Sequence, residues 1–127
     1  AGSTAASYEV FSLNGGVFDM KDFTGLELCN WHNDRVEVHV TADLTDGRLT
    51  FSGQDLGDFV EETWGDSDYE YWYSLDEENT DKLFSIIHGE QNPEAALLKE
   101  FSGEDGLRKL REICDNNGIQ YKFFSYV

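Results

Sequence analysis

From Tyr8 to Leu56 apolar and polar residues tend to alternate. The pattern is most regular where Val36, Val38, Val40, Ala42 and Leu44 interleave with Glu37, His39, Thr41 and Asp43. A side-chain period of two is that of a strand with one buried face, so this half of the chain reads as sheet. Asp46-Gly47 predicts a tight hairpin turn, because both central residues of such a turn need positive φ, and Leu49 and Phe51 carry the apolar face onward. Leu26 and Leu28, with Cys29 to His32, predict a preceding strand joined to Val36 through Asn33-Asp34, and Asn14-Gly15-Gly16 marks an earlier turn. Together these make an antiparallel meander. Residues Gln54 to Trp64 fit a short helix or an ordered loop equally, since Leu56, Phe59 and Val60 have helical spacing but Gly53, Gly57 and Gly65 interrupt it. Asp68 to Leu75 alternates again and reads as a strand, with Tyr69, Tyr71 and Tyr73 on one face and Asp68, Glu70 and Trp72 on the other.

The last third changes period. Ser74-Leu75-Asp76-Glu77 has the form of a capping box ahead of Leu83, Phe84, Ile86 and Ile87, with Gly89 as a stop, which predicts a helix over roughly 76–88. Asn92-Pro93 predicts a second helix start, followed by Leu97, Leu98 and Phe101 and ended near Gly103. Leu107, Leu110, Ile113 and Cys114 form the apolar stripe of a third helix, which Asn116-Asn117-Gly118 closes. Ile119 to Tyr126 reads as a final strand that rejoins the meander. Strands followed by helices predict an α+β fold: one domain over residues 8–127, three helices on one sheet face, and a C-terminal strand. Ala1 to Ser7 lacks the basic start and apolar stretch of a signal peptide and reads as a flexible leader or cloning remnant.

Composition adds function classes to exclude. The 127 residues suit one core, and 39% apolar with 14% aromatic residues is too rich for a disordered chain despite a formal charge of -17. Such a charge repels phosphate backbones and anionic lipid, so neither nucleic acid nor membrane is an expected partner; the natural ligands of such a surface are basic proteins or metal ions. The longest apolar stretches fall well short of the roughly 20 residues that span a bilayer. Cys29 and Cys114 do not resemble a secreted disulfide framework, which favours a reducing, cytoplasmic setting.

Charge and aromatics concentrate in one strip. Eleven Asp and Glu residues and no Lys or Arg fall between Leu49 and Asp81, and seven aromatic residues lie within it from Phe51 to Tyr73. Charge runs usually form a solvated face, and alternating aromatics usually form core. The functional alternative is that acids speed encounter with a basic partner while Trp and Tyr anchor it. The candidate partner-binding residues are Glu61, Glu62, Trp64, Asp66, Asp68, Tyr69, Glu70, Tyr71, Trp72 and Tyr73.

Other chemistry finds less support. Asp43, Asp46, Asp66, Asp68 and Glu70 are oxygen ligands of the type calcium prefers, but no window has the order of an EF-hand loop. Cys29-x-x-His32 with His39 suggests zinc, yet a strand through both residues puts Cys29 and His32 on opposite faces. Cys29, Cys114, His32, His39 and His88 are raw material for nucleophilic catalysis, without a G-x-S-x-G elbow or a family-type cysteine sequence around them. Gly15-Gly16 is too short for a phosphate cradle, and neither a Walker lysine motif nor a Rossmann glycine triplet is present. No catalytic residue, metal or cofactor is therefore assigned. Lys99, Arg108, Lys109 and Arg111 hold four of the nine basic residues, with Arg108 and Arg111 on one helix face; internal pairing with the acidic strip is their simplest use.

The reading that follows is a non-enzymatic, cytoplasmic binding protein that docks on a basic protein and masks its working site. In its acidic balance and small size the chain resembles the immunity proteins that neutralise bacterial nuclease toxins, which implies an inhibitor acting by occlusion. The alternatives are a DNA-mimicking antagonist, a small hydrolase using acidic residues and a histidine, and a structural accessory subunit.

Overall fold

A computed structural model describes residues 21–57 and 68–126. Its elements in chain order are β1 (Phe23–His32), β2 (Glu37–Thr45), β3 (Arg48–Leu56), β4 (Asp68–Leu75), α1 (Glu77–Ile86), α2 (Pro93–Phe101), α3 (Gly106–Asn117) and β5 (Lys122–Tyr126). The five strands form one sheet in the order β1-β2-β3-β4-β5, and every neighbouring pair is antiparallel. The fold is thus α+β: a four-stranded meander, three helices, and a last strand that returns beside β4.

Local chemistry explains the connections. Asp46 and Gly47 adopt φ of 52° and 78°, so the Asp-Gly pair makes the expected turn and sets Thr45 opposite Arg48. Asn33 Oδ1 accepts from the backbone N–H groups of Arg35 (2.7 Å) and Val36 (2.9 Å) and closes the turn between β1 and β2. β1 carries a register shift between Glu27 and Cys29. The Leu28 carbonyl within it accepts from Gly103 N–H at 2.9 Å, tying β1 to the connection between α2 and α3.

Three sequence expectations are corrected here. The cap of α1 is Asp76, whose Oδ1 accepts from Asn79 N–H at 2.9 Å, because Ser74 is still in β4, opposite Thr50 and Lys122. The last strand starts at Lys122 rather than Ile119. Ile119 is buried in the core, and Gln120 N–H donates to Asn79 Oδ1 at 2.8 Å, so the chain spends these residues crossing back over α1. Asn92 caps α2 ahead of Pro93 and Gly118 closes α3 with φ of 67°, as the sequence predicts, but α1 ends at Ile86 rather than near 88, and His88 with φ of 57°, not Gly89, takes the left-handed position after it. Residues Gln54 to Leu56 belong to β3. The remainder of that ambiguous segment, from residue 58 to Trp64, lies outside the described residues, as does Asn14-Gly15-Gly16.

One core joins the inward residues of the sheet, among them Val40, Ala42, Leu44, Leu49, Phe51 and Leu75, to Leu83 and Phe84 of α1, Leu97 and Phe101 of α2, and Leu107, Leu110 and Cys114 of α3. Phe51 and Phe101 meet edge to face at 5.7 Å, locking sheet to helix. On the opposite face, Glu37, His39, Thr41 and Asp43 of β2 and Arg48, Thr50, Ser52 and Gln54 of β3 are half-buried or exposed. All three helices therefore pack on one side of the sheet, as the sequence order predicted. Among the described residues no helix is long and apolar enough to cross a membrane.

Candidate functional site

Strand β4 divides the candidate residues between two places. Period-two geometry turns Asp68, Glu70 and Trp72 to the open face and Tyr69, Tyr71 and Tyr73 to the helix side. Those six do not make one surface. Glu61, Glu62, Trp64 and Asp66 lie outside the described residues.

On the open face Trp72 is opposite Phe124, and their rings stack at 5.0 Å and 23°. Glu70 is opposite Tyr126. Phe124 is 54% and Tyr126 68% exposed, and all five residues of β5 are exposed on this edge strand. Exposed aromatics on a sheet edge are a liability unless something covers them, which makes them the informative exception on a surface rich in acids. Gln54 Nε2 donates to Asp68 Oδ1 at 3.2 Å and holds one rim carboxylate in place.

On the helix side, the end of β3 and β4 meets α3 in a cleft of about 270 Å³ lined by Asp55, Tyr69, Tyr71, Tyr73, Glu104, Arg108 and Arg111. Gly53 makes room for it. Tyr71 sits directly across from Gly53, and a Cβ there would lie 2.0 Å from the Tyr71 ring. The ring thus lies over bare backbone and its hydroxyl donates to Asp55 Oδ1 at 2.9 Å. One residue pair along, Arg111 Nη1 donates to Tyr73 Oη at 2.7 Å, with the guanidinium 5.9 Å from the ring centroid.

No protein-family model, curated protein or solved structure matches the chain.

The geometry alone therefore carries the functional argument. Burial raises the Asp55 carboxyl, and the Tyr71 hydrogen bond only partly opposes that. The Tyr71 phenol is raised by burial first and by Asp55 second. Burial also raises the Cys29 thiol, helped by Glu104 and Asp55, and pushes Cys114 up to about 11. Both cysteines are free and buried, so neither is the low-pKa exposed thiolate that nucleophilic chemistry uses. Cys29 faces the helices and His32 the open side, as the strand argument required. Among the described residues no three His, Cys, Asp or Glu side chains are grouped to hold a metal ion. His39 Nε2 lies 3.3 Å from Glu37 Oε2 on the open face.

Among the described residues, Arg108 and Arg111 of α3 form no ion pair with an acid of the strip. Arg108 meets Glu112 at 2.9 Å and Asp105 at 3.7 Å within its own stretch of chain, while Arg111 reaches the strip's Tyr73 hydroxyl rather than an acid. Sequence reasoning missed Asp55, Phe124 and Tyr126. Asp55 had a signal, as it continues the inward series Leu49, Phe51 and Gly53, where a carboxylate is out of place. Phe124 and Tyr126 share the period of the last strand, but nothing local says that this strand lies beside Trp72.

Proposed function

We propose that the protein is a non-enzymatic binding module of the inhibitor or immunity type, working in the cytoplasm, which docks on a basic protein such as a nuclease toxin and masks its working site. The observation that carries this is the stack of half-buried Trp72 on exposed Phe124, with exposed Tyr126 beside it, on a face bearing Asp68 and Glu70. Aromatics at the centre with charge around them is the anatomy of an interface whose centre supplies affinity and whose rim supplies steering. A formal charge of -17 adds long-range attraction for a basic partner, raising association rates by roughly 10 to 1,000 fold at low salt. Two unpaired cysteines fit a reducing compartment.

The test is retention of basic proteins from a lysate of the source organism, followed by kinetics on whatever is retained. Asp68→Asn with Glu70→Gln is expected to slow association and flatten its salt dependence. Trp72→Ala is expected to speed dissociation roughly 30-fold, the equivalent of about 2 kcal/mol for an interface anchor. Equal retention and equal rates for both variants refute the reading.

A further inference from the structure

We infer that the cleft between β3, β4 and α3 binds a small zwitterion of the free amino acid class, with Asp55 receiving its ammonium group and Arg111 its carboxylate against the rings of Tyr71 and Tyr73. This site is on the other side of the sheet from the aromatic docking face and does not rest on that reading.

The starting observation is a pair of opposite charges held side by side and apart. Tyr71 and Tyr73 point the same way from one strand, so their Cα atoms are roughly 6.6 Å apart. The Tyr71 hydroxyl holds the Asp55 carboxylate, and the Tyr73 hydroxyl holds the Arg111 guanidinium. Among the described residues Asp55 and Arg111 form no ion pair with each other or with any other side chain, whereas Arg108 is committed to Asp105 and Glu112. One oxygen of Asp55 therefore retains its full acceptor capacity, and Arg111 uses one of five N–H donors on Tyr73. Asp55 is half-buried at the floor, while Arg111 and Glu104 are exposed at the mouth.

Charge logic selects the ligand. A lone cation drawn to Asp55 meets Arg111 in the same cleft, and a lone anion drawn to Arg111 meets Asp55 and Glu104. A molecule carrying both charges a few bonds apart satisfies each group and replaces the water that the half-buried carboxylate has given up. The tyrosine rings add flat apolar walls and a cation-attracting face. A volume of about 270 Å³ is near the lower end of ligand pockets, the scale of a single amino acid rather than a nucleotide or a folded peptide. Arg108 also lines the cleft but is paired with Asp105 and Glu112, so Glu104 remains as a second carboxylate for a cationic side chain, and lysine and arginine are preferred over leucine or glycine.

Calorimetric titration and amide NMR shifts with L-lysine, L-arginine and L-leucine on the full chain test the proposal, with cadaverine, which carries only positive charge, and hexanoate, which carries only negative charge, as controls. The expected result is saturable L-lysine binding with shifts centred on Asp55, Tyr71, Tyr73 and Arg111, and affinity lower by about tenfold or more for either control. Asp55→Asn and Arg111→Gln should each weaken L-lysine by a similar factor. Should Asp55→Asn fail to fold, Arg111→Gln carries the test alone, since Arg111 is exposed on α3. No saturable shift with any amino acid up to about 10 mM, a level corresponding to negligible affinity, overturns the inference. So does cadaverine binding as well as L-lysine, or an Arg111→Gln protein that binds unchanged.

Discussion

Substituting Ala for Gly53 adds one methyl group at the most crowded point of the sheet. Its carbon would sit 2.0 Å from Cε2, 2.3 Å from Cζ and 2.7 Å from Cδ2 of Tyr71, where ordinary contact is about 3.5–4.0 Å. The ring must retreat by about 1.5 Å or more, and the Tyr69 ring, with its centroid 5.4 Å away, limits where it can go. A ring that swings away takes its hydroxyl off Asp55. Losing a hydrogen bond to a charged acceptor costs about 1.5–3 kcal/mol, and the lower part of that range applies at a half-buried site. Alanine returns about 0.4–1 kcal/mol by restricting the unfolded chain, because Gly53 does not need a positive φ. The net loss is about 1 kcal/mol, or roughly 4 °C in Tm for a domain of this size. Urea denaturation of Gly53→Ala, Tyr71→Ala and the double variant measures it. With the ring gone, Gly53→Ala should become neutral or stabilising. An equal loss in both backgrounds would refute the argument that Gly53 is there for Tyr71.

Two further predictions concern the supports around the core. Thr80 is fully buried, accepting from Leu49 N–H at 3.1 Å and donating to the Leu75 carbonyl at 3.3 Å. Thr80→Val strands both groups and should cost about 2–4 kcal/mol in chemical denaturation, with Thr80→Ser recovering most of it; equal stabilities would show that the hydroxyl bridge contributes nothing. Asp76 and Asp55 should show opposite pH dependence. The Asp76 carboxyl is held below its ordinary 3.8 by the backbone and side-chain N–H groups of Asn79, so its stabilisation is present above pH 3.8 and is lost as pH falls through the lower folded value. Asp76→Ala should therefore lower Tm at neutral pH and lose that effect in acid. Burial holds Asp55 above 3.8, so its contribution is greatest below 3.8 and is lost as pH rises through the folded value. Asp55→Asn should gain on the native chain over that rise. Parallel Tm profiles for the two variants would contradict both assignments.

Most of the fold was legible because its signals are local. The Asp46-Gly47 turn, the Asn92-Pro93 start and the Gly118 stop each need only a few residues, and the alternation of β2 and β4 assigns faces without any partner. Ser74 misled because the capping pattern does not record that a strand is still hydrogen-bonded on both sides at that residue. The two sites were legible in part. Alternation separated Trp72 from the three tyrosines, but a strip of sequence that looks like one patch is two surfaces once it lies in a sheet. Asp55 with Tyr71, Tyr73 with Arg111 and Trp72 with Phe124 are separated by 16, 38 and 52 positions, distances at which no sequence period operates.

The helical crossover is what creates both sites. Three helices carry the chain from the end of β4 and return β5 alongside it, so β4 becomes an interior strand with a neighbour on each side. That neighbour sets Phe124 against Trp72 on the open face and Phe123 against Tyr73 on the helix side, with rings 4.9 Å apart. Had the last strand paired elsewhere, Trp72 would have lost its stacking partner, and the cleft would have lost the Phe123 wall. The same crossover lays α3 across the sheet and aims Arg111 at Tyr73. A strand read alone as acids alternating with aromatics thus acquires two chemistries from one topological decision. An aromatic patch with an acidic rim forms where the helices do not reach, and a cleft of mixed charge forms where they do.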